Sequence, residues 1–207
     1  SYMSLANLNV VGNAVAGTRG VEITASHHRL DNVSIGGFTG AGSHGLYCHG
    51  TVPGTNECAF GFWTDVWSRS NDTGILIEGT PTDDIIATGM VVSGNTNDGV
   101  RVADPAHNIW FEGVILGNCT SAGACFELNI QSGRWLHFNT RIEANVNTRA
   151  LSLPTCNTAS ADHIYIQGFQ EQENLETAAI NAGTNGCTIA IEDARVYGTG
   201  EPWFISA

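Results

Sequence analysis

Short runs of alternating apolar residues, broken at regular places by Asn, Asp or Gly, return along the whole chain. The clearest copy runs from Asn108 to Asn118, Asn-Ile-Trp-Phe-Glu-Gly-Val-Ile-Leu-Gly-Asn. Ile109 and Phe111 alternate with an outward Trp110, a bend of Glu112 and Gly113 turns the chain, and Val114 and Leu116 then alternate again. Period-two alternation marks strand, and Gly or Asn at the bend accepts the left-handed backbone that other residues resist. Two short inward-facing strands therefore meet at a corner, and no helical period fits.

Anchored on the last apolar residue before the corner, the figure recurs at Leu5, Leu30, Trp63, Ala87, Phe111, Phe138, Ile166 and Ile191, at spacings of 24 to 33 residues. The corner column reads Asn7, Asn32, Asp65, Gly89, Gly113, Thr140, Gly168 and Asp193. Three residues past each anchor the inward column reads Leu8, Val33, Val66, Met90 and Val114, then Arg141 as an exception, then Phe169 and Ala194. A further strand follows in each copy and usually opens with Gly, as in Gly20-Val21-Glu22-Ile23, Gly45-Leu46-Tyr47-Cys48, Gly74-Ile75-Leu76-Ile77 and Gly99-Val100-Arg101-Val102. Three short strands per coil, about eight coils and no helix predict an all-β solenoid, one domain over residues 1–207. The first strand begins at the N-terminus with nothing to cover an open solenoid end, so the chain is expected to be a fragment or mature part of a larger one, or to be capped by another subunit.

Composition narrows the partners. The 207 residues include 25 glycines and no lysine, and the formal charge is -12. Such a chain cannot neutralise rows of phosphates, which excludes nucleic acid and anionic membrane surfaces. No apolar run reaches the length of a membrane helix, so membrane insertion is not expected. A polyanionic sugar would be repelled unless calcium or an Arg patch intervened, which favours a neutral or weakly charged partner. The Asn/Asp-rich bends Asn95-Thr96-Asn97-Asp98-Gly99 and Thr82-Asp83-Asp84 offer oxygens suited to calcium, though turn chemistry explains the same residues without it. The seven histidines, among them His27, His28, His44, His49 and His107, show no repeated ligand spacing, so neither a structural metal nor another cofactor is expected.

The repeat gives the six cysteines addresses. Cys48 and Cys58 flank the longest insertion, Cys119 and Cys125 flank one inter-strand loop, and Cys156 and Cys187 follow the third strands of consecutive coils. Three local disulfides and an extracellular, secreted or virion-surface setting follow from this reading, with buried free thiols as the alternative.

The repeated apolar-x-apolar-x-(Gly/Asn)-apolar-x-apolar figure followed by Gly-apolar-x-apolar resembles the right-handed parallel β-helix of the pectate-lyase-like superfamily, which includes phage tailspikes. The resemblance spans essentially the whole chain and implies architecture rather than chemistry. Leu5-x-x-Leu8-x-Val10-x-x-Asn13 also matches a leucine-rich strand signature, but the following segments lack helical or repeated-Leu character. The Trp-x-Asp-His and Arg-x-Pro-x-x-Arg stretches of pectate lyases are absent. Polygalacturonase-like motifs appear only as Asp83-Asp84 and Cys48-His49-Gly50, in the wrong order. Tailspike-type depolymerases carry no sequence signature. Resemblance to tailspikes further implies a homotrimer of side-by-side solenoids.

Chemistry is expected on the outside of the coils. One residue before successive anchors stand Phe62, Ile86, Trp110, His137 and Tyr165, a strip on which sugar rings could stack or another subunit could pack. A second outward column, Trp67, Val91, Ile115 and Ile142, suits protein contact. Glu112, Glu143 and Glu171 are the candidate carboxylates for glycoside cleavage, the last two read as equivalent positions in neighbouring coils beside Arg141. Two functions follow: a carbohydrate-directed β-helix that binds or depolymerises a cell-surface or extracellular polysaccharide, or a non-catalytic structural or adhesive β-helix.

Overall fold

The computed structural model describes the backbone of residues 2–52, 56–103, 106–119, 124–129, 135–144, 149–152, 163–172, 180–181, 189–192, 195–197 and 205–206; side chains are described for 2–52, 56–103, 106–117, 137–139, 141 and 192. The strands in chain order are β1 (Met3–Val11), β2 (Arg19–Ile23), β3 (Ser26–Gly36), β4 (His44–Gly50), β5 (Cys58–Arg69), β6 (Thr73–Gly79), β7 (Thr82–Thr88), β8 (Val91–Ser93) and β9 (Val100–Ala103). They continue as β10 (His107–Cys119), β11 (Ala124–Asn129), β12 (Trp135–Ala144), β13 (Arg149–Ser152), β14 (His163–Gln172), β15 (Ile180–Asn181), β16 (Ile189–Glu192), β17 (Arg195–Tyr197) and β18 (Ile205–Ser206). No helix occurs among the described residues.

All pairings between these strands are parallel and join each coil to the next, giving one sheet ordered β1-β3-β5-β7-β10-β12-β14-β16 and a second ordered β18-β15-β13-β11-β9-β6-β4-β2. The chain is a parallel β-solenoid, as its alternation predicts. About five turns are supported, against the eight anticipated from the anchors. Beyond β11 the ladders run on through backbone pairing, and the strands of the second sheet shrink to pairs such as Ile180–Asn181.

Five corner residues adopt the left-handed conformation the sequence assigns them: Asn7 (φ 53°), Asn32 (φ 52°), Asp65 (φ 52°), Gly89 (φ 65°) and Gly113 (φ 62°). Asn and Asp tolerate this region because a short polar side chain bonds locally, and here Asn32 Nδ2 donates to Asn7 Oδ1 at 2.8 Å, one coil away. The turn at each corner is gentle enough that both flanking strands form one bent strand in β1, β3, β5 and β10, so the expected three strands per coil resolve into two continuous sheets.

The Arg141 exception disappears in the structure. Glu112 pairs with Asn139 and Val114 with Thr140, so the coil of β12 has no residue opposite Gly113. Thr140 is therefore not a corner residue, and counting from Phe138 slips by one. Arg141 stands outward beside Ile115, and Ile142 is in register with Leu116.

Inside the coils the anchors Leu30, Trp63, Ala87, Phe111 and Phe138 stack with Val33, Val66, Met90 and Val114, all at most 1% exposed. Leu8, in the outermost strand, is 38% exposed. A buried polar ladder closes the turn that leads into the second sheet. Asn71 Oδ1 accepts from the Phe38 amide at 3.1 Å, and Asn95 Oδ1 accepts from the Asn71 amide at 2.9 Å. Asn71 Nδ2 also donates to Ser68 Oγ, which donates to the Gly74 carbonyl at 2.7 Å. This ladder explains the leading glycines: a Cβ on Gly45 would lie 2.6 Å from Asn71 Nδ2, and one on Gly74 would lie 2.6 Å from Asn95 Nδ2.

Replacing Asn71 by Ala strands the buried Phe38 amide without its acceptor and should lower stability by about 1–3 kcal/mol. The exposed Asn13→Ala change should stay within about 0.5 kcal/mol of wild type in the same urea unfolding experiment.

Candidate functional site

The outward strip forms as read. Strand register aligns Arg29, Phe62, Ile86, Trp110, His137 and Tyr165 in one column. Phe62 is 56%, Ile86 42% and Trp110 49% exposed, a run of large apolar side chains in successive coils. Tyr165 keeps its register, and its side chain lies outside the described residues. Trp110 and His137 stack with ring centroids 3.9 Å apart and planes 20° from parallel. One face of the indole is thereby covered by the next coil. Beside it Glu112 accepts from Asn139 Nδ2 at 2.7 Å and from Trp110 Nε1 at 3.4 Å, with His137 Nε2 at 3.9 Å. Partial burial holds the His137 imidazole below its ordinary pKa, and the Glu112 charge offsets part of this.

Upstream the strip opens into a groove of about 450 Å³ lined by Tyr2, His27, His28, Arg29, Phe60, Phe62 and Thr64. Here the structure holds a feature that alternation alone did not disclose. Three residues before the anchors lies a second left-handed column: His27 (φ 58°), Phe60 (φ 52°), Asp84 (φ 51°) and Asn108 (φ 52°). Asp84 and Asn108 suit that conformation, and Asn108 Nδ2 bonds Asp84 Oδ1 at 3.0 Å. His27 is of a type that adopts it more often than most, whereas Phe60 does not suit it, because its bulky side chain crowds the backbone at positive φ. They stack on each other at 4.8 Å, and Phe60 is 43% exposed. Strain of this kind costs on the order of 1–3 kcal/mol and gathers at ligand-binding positions.

The second outward column also forms, from Trp67 through Val91 to Ile115, and continues to Arg141 rather than Ile142. The same one-residue slip separates the expected carboxylate pair. Glu143 is in register with Gly117, whereas Glu171 pairs with Ile142, so the two do not share a column. Their side chains lie outside the described residues, as do those of Cys119, Cys125, Cys156 and Cys187. Cys48 and Cys58 form a disulfide, as expected. In the two Asn/Asp-rich bends, oxygens serve the coils: Asn95 bonds the Asn71 amide, Thr82 Oγ1 bonds the Glu78 carbonyl at 2.6 Å, and Asp83 faces His107 at 3.4 Å.

A polar network on the outward face of the second sheet escaped the sequence reading. Glu22 meets Arg19 at 2.9 Å and His49 at 2.7 Å; Tyr47 donates to Glu78 at 2.6 Å. The Tyr47 ring has the Arg19 guanidinium over it at 4.5 Å and stacks with the His49 ring at 4.2 Å. Burial, then the bond to Glu78, raises the Tyr47 phenol well above its ordinary pKa, and burial followed by the Arg19 charge lowers that of His44. Aligning the third strands on Gly20, Gly45, Gly74 and Gly99 would have found the column Glu22, Tyr47, Leu76, Arg101. With its side chains engaged with one another, this network braces three coils rather than offering a surface to a ligand.

No protein-family model, curated protein or solved structure matches this chain. The fold defines its class: a parallel β-solenoid, here with an exposed apolar strip along one sheet.

The bond from His49 is the largest influence on Glu22 and, with Arg19, holds its carboxyl below the ordinary glutamate range. A depressed folded pKa contributes stability that is fully present above the unfolded value and is lost as pH falls through the folded value. Wild type should therefore unfold more readily than at neutral pH once acidified below about pH 4.3. Thermal melts of the Glu22→Gln variant over the same range should show a shallower acid limb.

Proposed function

We propose that this chain is a carbohydrate-directed β-solenoid, tailspike-like and related in design to the pectate-lyase-like superfamily, that binds a neutral cell-surface or extracellular polysaccharide. The observation that carries this reading is the strained, half-exposed Phe60, held with His27 and Phe62 in an open groove, with the exposed side chains of Ile86 and Trp110 following in the strip beyond it. An extended glycan is a chain of repeating apolar faces and hydroxyl edges, matched by outward apolar side chains that repeat about every 4.8 Å, with rings at Phe62 and Trp110 on either side of Ile86. Tyr2, Arg29, Thr64 and Glu112 stand beside the rings as hydrogen-bonding groups. Affinity of this kind needs no positive charge, which suits a chain of net charge -12. The disulfide fits an oxidising, extracellular setting, and no helix among the described residues is long and apolar enough to cross a membrane.

The reading is one of binding. Cleavage needs two carboxylates about 5 to 9.5 Å apart, and the register offset of Glu143 and Glu171 removes the geometric case for that pair. One observation favours a structural or adhesive solenoid instead. The stacked Trp110 and His137 present ring edges outward, and with Trp67 and Ile115 across the corner they make a strip suited to a neighbouring subunit, as in a homotrimer.

Trp110→Ala and Phe60→Gly separate the two. On the carbohydrate reading each lowers affinity in a glycan-array and titration experiment about tenfold, roughly 1.4 kcal/mol, with sedimentation unchanged. Phe60→Gly should also match or exceed wild-type stability, because Gly relieves the left-handed strain. A wild-type protein that binds no glycan on a broad array, together with a Trp110→Ala variant that loses its oligomeric state, assigns the strip to an interface.

A further inference from the structure

Between the two sheets, under the groove, His28 meets the Cys48–Cys58 disulfide. All three residues are at most 1% exposed, and their ligand-capable atoms lie within 4.8 Å of one another. His28 Nε2 is 3.8 Å from Cys58 Sγ. In the neutral ring Nδ1 donates to the Ala25 carbonyl at 2.9 Å, which leaves Nε2 unprotonated, with the Cys58 sulfur at 3.8 Å and the Ala59 backbone also against the ring. Burial favours that neutral form by lowering the imidazole pKa. Neither a disulfide sulfur nor an unprotonated Nε2 carries a hydrogen, so the contact in the oxidised protein is no hydrogen bond. The imidazole is also seated by design of the coil: a Cβ on Gly61 would overlap its ring, so glycine there clears its place.

A ring nitrogen oriented by a backbone carbonyl on the opposite nitrogen is the arrangement that fixes metal-binding histidines. Zinc bonds of about 2.0 Å to nitrogen and about 2.3 Å to sulfur at a tetrahedral angle set the two ligand atoms about 3.6 Å apart. The observed separation of 3.8 Å is already close to that edge. Reduction must also let the two sulfurs part to about 3.8 Å, the edge that two zinc–sulfur bonds set, with Cys48 Sγ within 4.8 Å of the nitrogen at the start.

We propose that the reduced protein binds one zinc ion through His28 Nε2, Cys48 Sγ and Cys58 Sγ, and that closing the Cys48–Cys58 bond expels it. A trialkylphosphine supplies the two electrons that break the disulfide; it becomes the phosphine oxide with oxygen from water, and the sulfurs take up two protons as thiols. Zinc then displaces those two protons as both thiolates form, and a water fills the fourth position. The site is a redox-dependent metal site beneath the groove, whose lining includes His28, and it does not rest on the carbohydrate reading. Two sulfurs from adjacent coils around one ion would hold the longest insertion in place before the disulfide forms.

The test uses the intact chain, reduced by phosphine and freed of excess reductant, with zinc or cobalt(II) as the probe. Peptide mapping after timed alkylation should show zinc slowing modification of Cys48 and Cys58 at least tenfold. Cobalt(II) should give sulfur-to-metal charge-transfer absorption that the oxidised protein lacks. His28→Gln should weaken zinc binding at least tenfold and shift the cobalt ligand-field bands. Equal alkylation rates at Cys48 and Cys58 with and without zinc overturn the proposal and leave a thiol–imidazole hydrogen bond in its place. The wild-type alkylation result stands even where the His28 variant fails to fold.

Discussion

Everything in this molecule depends on the parallel stacking of one coil on the next. Backbone hydrogen bonds between coils satisfy the strands, but a strand edge extends along any partner, so register needs a further constraint. Polar side chains at the turns supply it. Asn32 on Asn7, Asn108 on Asp84, and the buried series Phe38, Asn71, Asn95 each tie a residue to its equivalent one coil away. A slip by one residue would strand the buried Asn71 and Asn95 groups unpaired inside the turn, which costs more than a backbone ladder bond returns. The side-chain ladders thus fix which residues share a column, and columns are what this surface uses.

The two sheets present different exteriors. The first shows rings and aliphatic chains at Phe62, Ile86 and Trp110 with few charges between them; the second carries Arg19, Glu22, Tyr47, His49 and Glu78 locked to one another. A saturated polar network adds rigidity and leaves no group seeking a partner. An apolar strip that remains exposed in a chain of high net charge keeps its interaction potential open. The strained Phe60 sharpens that contrast, since its neighbours in the same column use Asp84 and Asn108, which accept the conformation at little cost.

Much of this was legible from residues alone. Alternation gave the strands, Asn7, Asn32, Asp65, Gly89 and Gly113 gave the corners, and the anchor column gave the core, because each is a local consequence of side-chain size and backbone preference. The outward strip followed from the same period. Reading failed where the repeat lost one residue. Thr140 looked like a corner, and every position after it in that coil was assigned one place early, which turned Arg141 inward and aligned Glu143 with Glu171.

Sequence by itself determined that this chain stacks as a parallel β-solenoid, where its first five corners fall and which side chains fill those coils, since alternation and left-handed preference act within a few residues. Only the tertiary structure decided what meets across coils. The length of each turn sets register, and register brings Glu22 to His49, lays Trp110 against His137, and places His28 Nε2 on the Cys58 sulfur thirty residues away in the chain. Those juxtapositions depend on summed turn geometry, which no single residue carries.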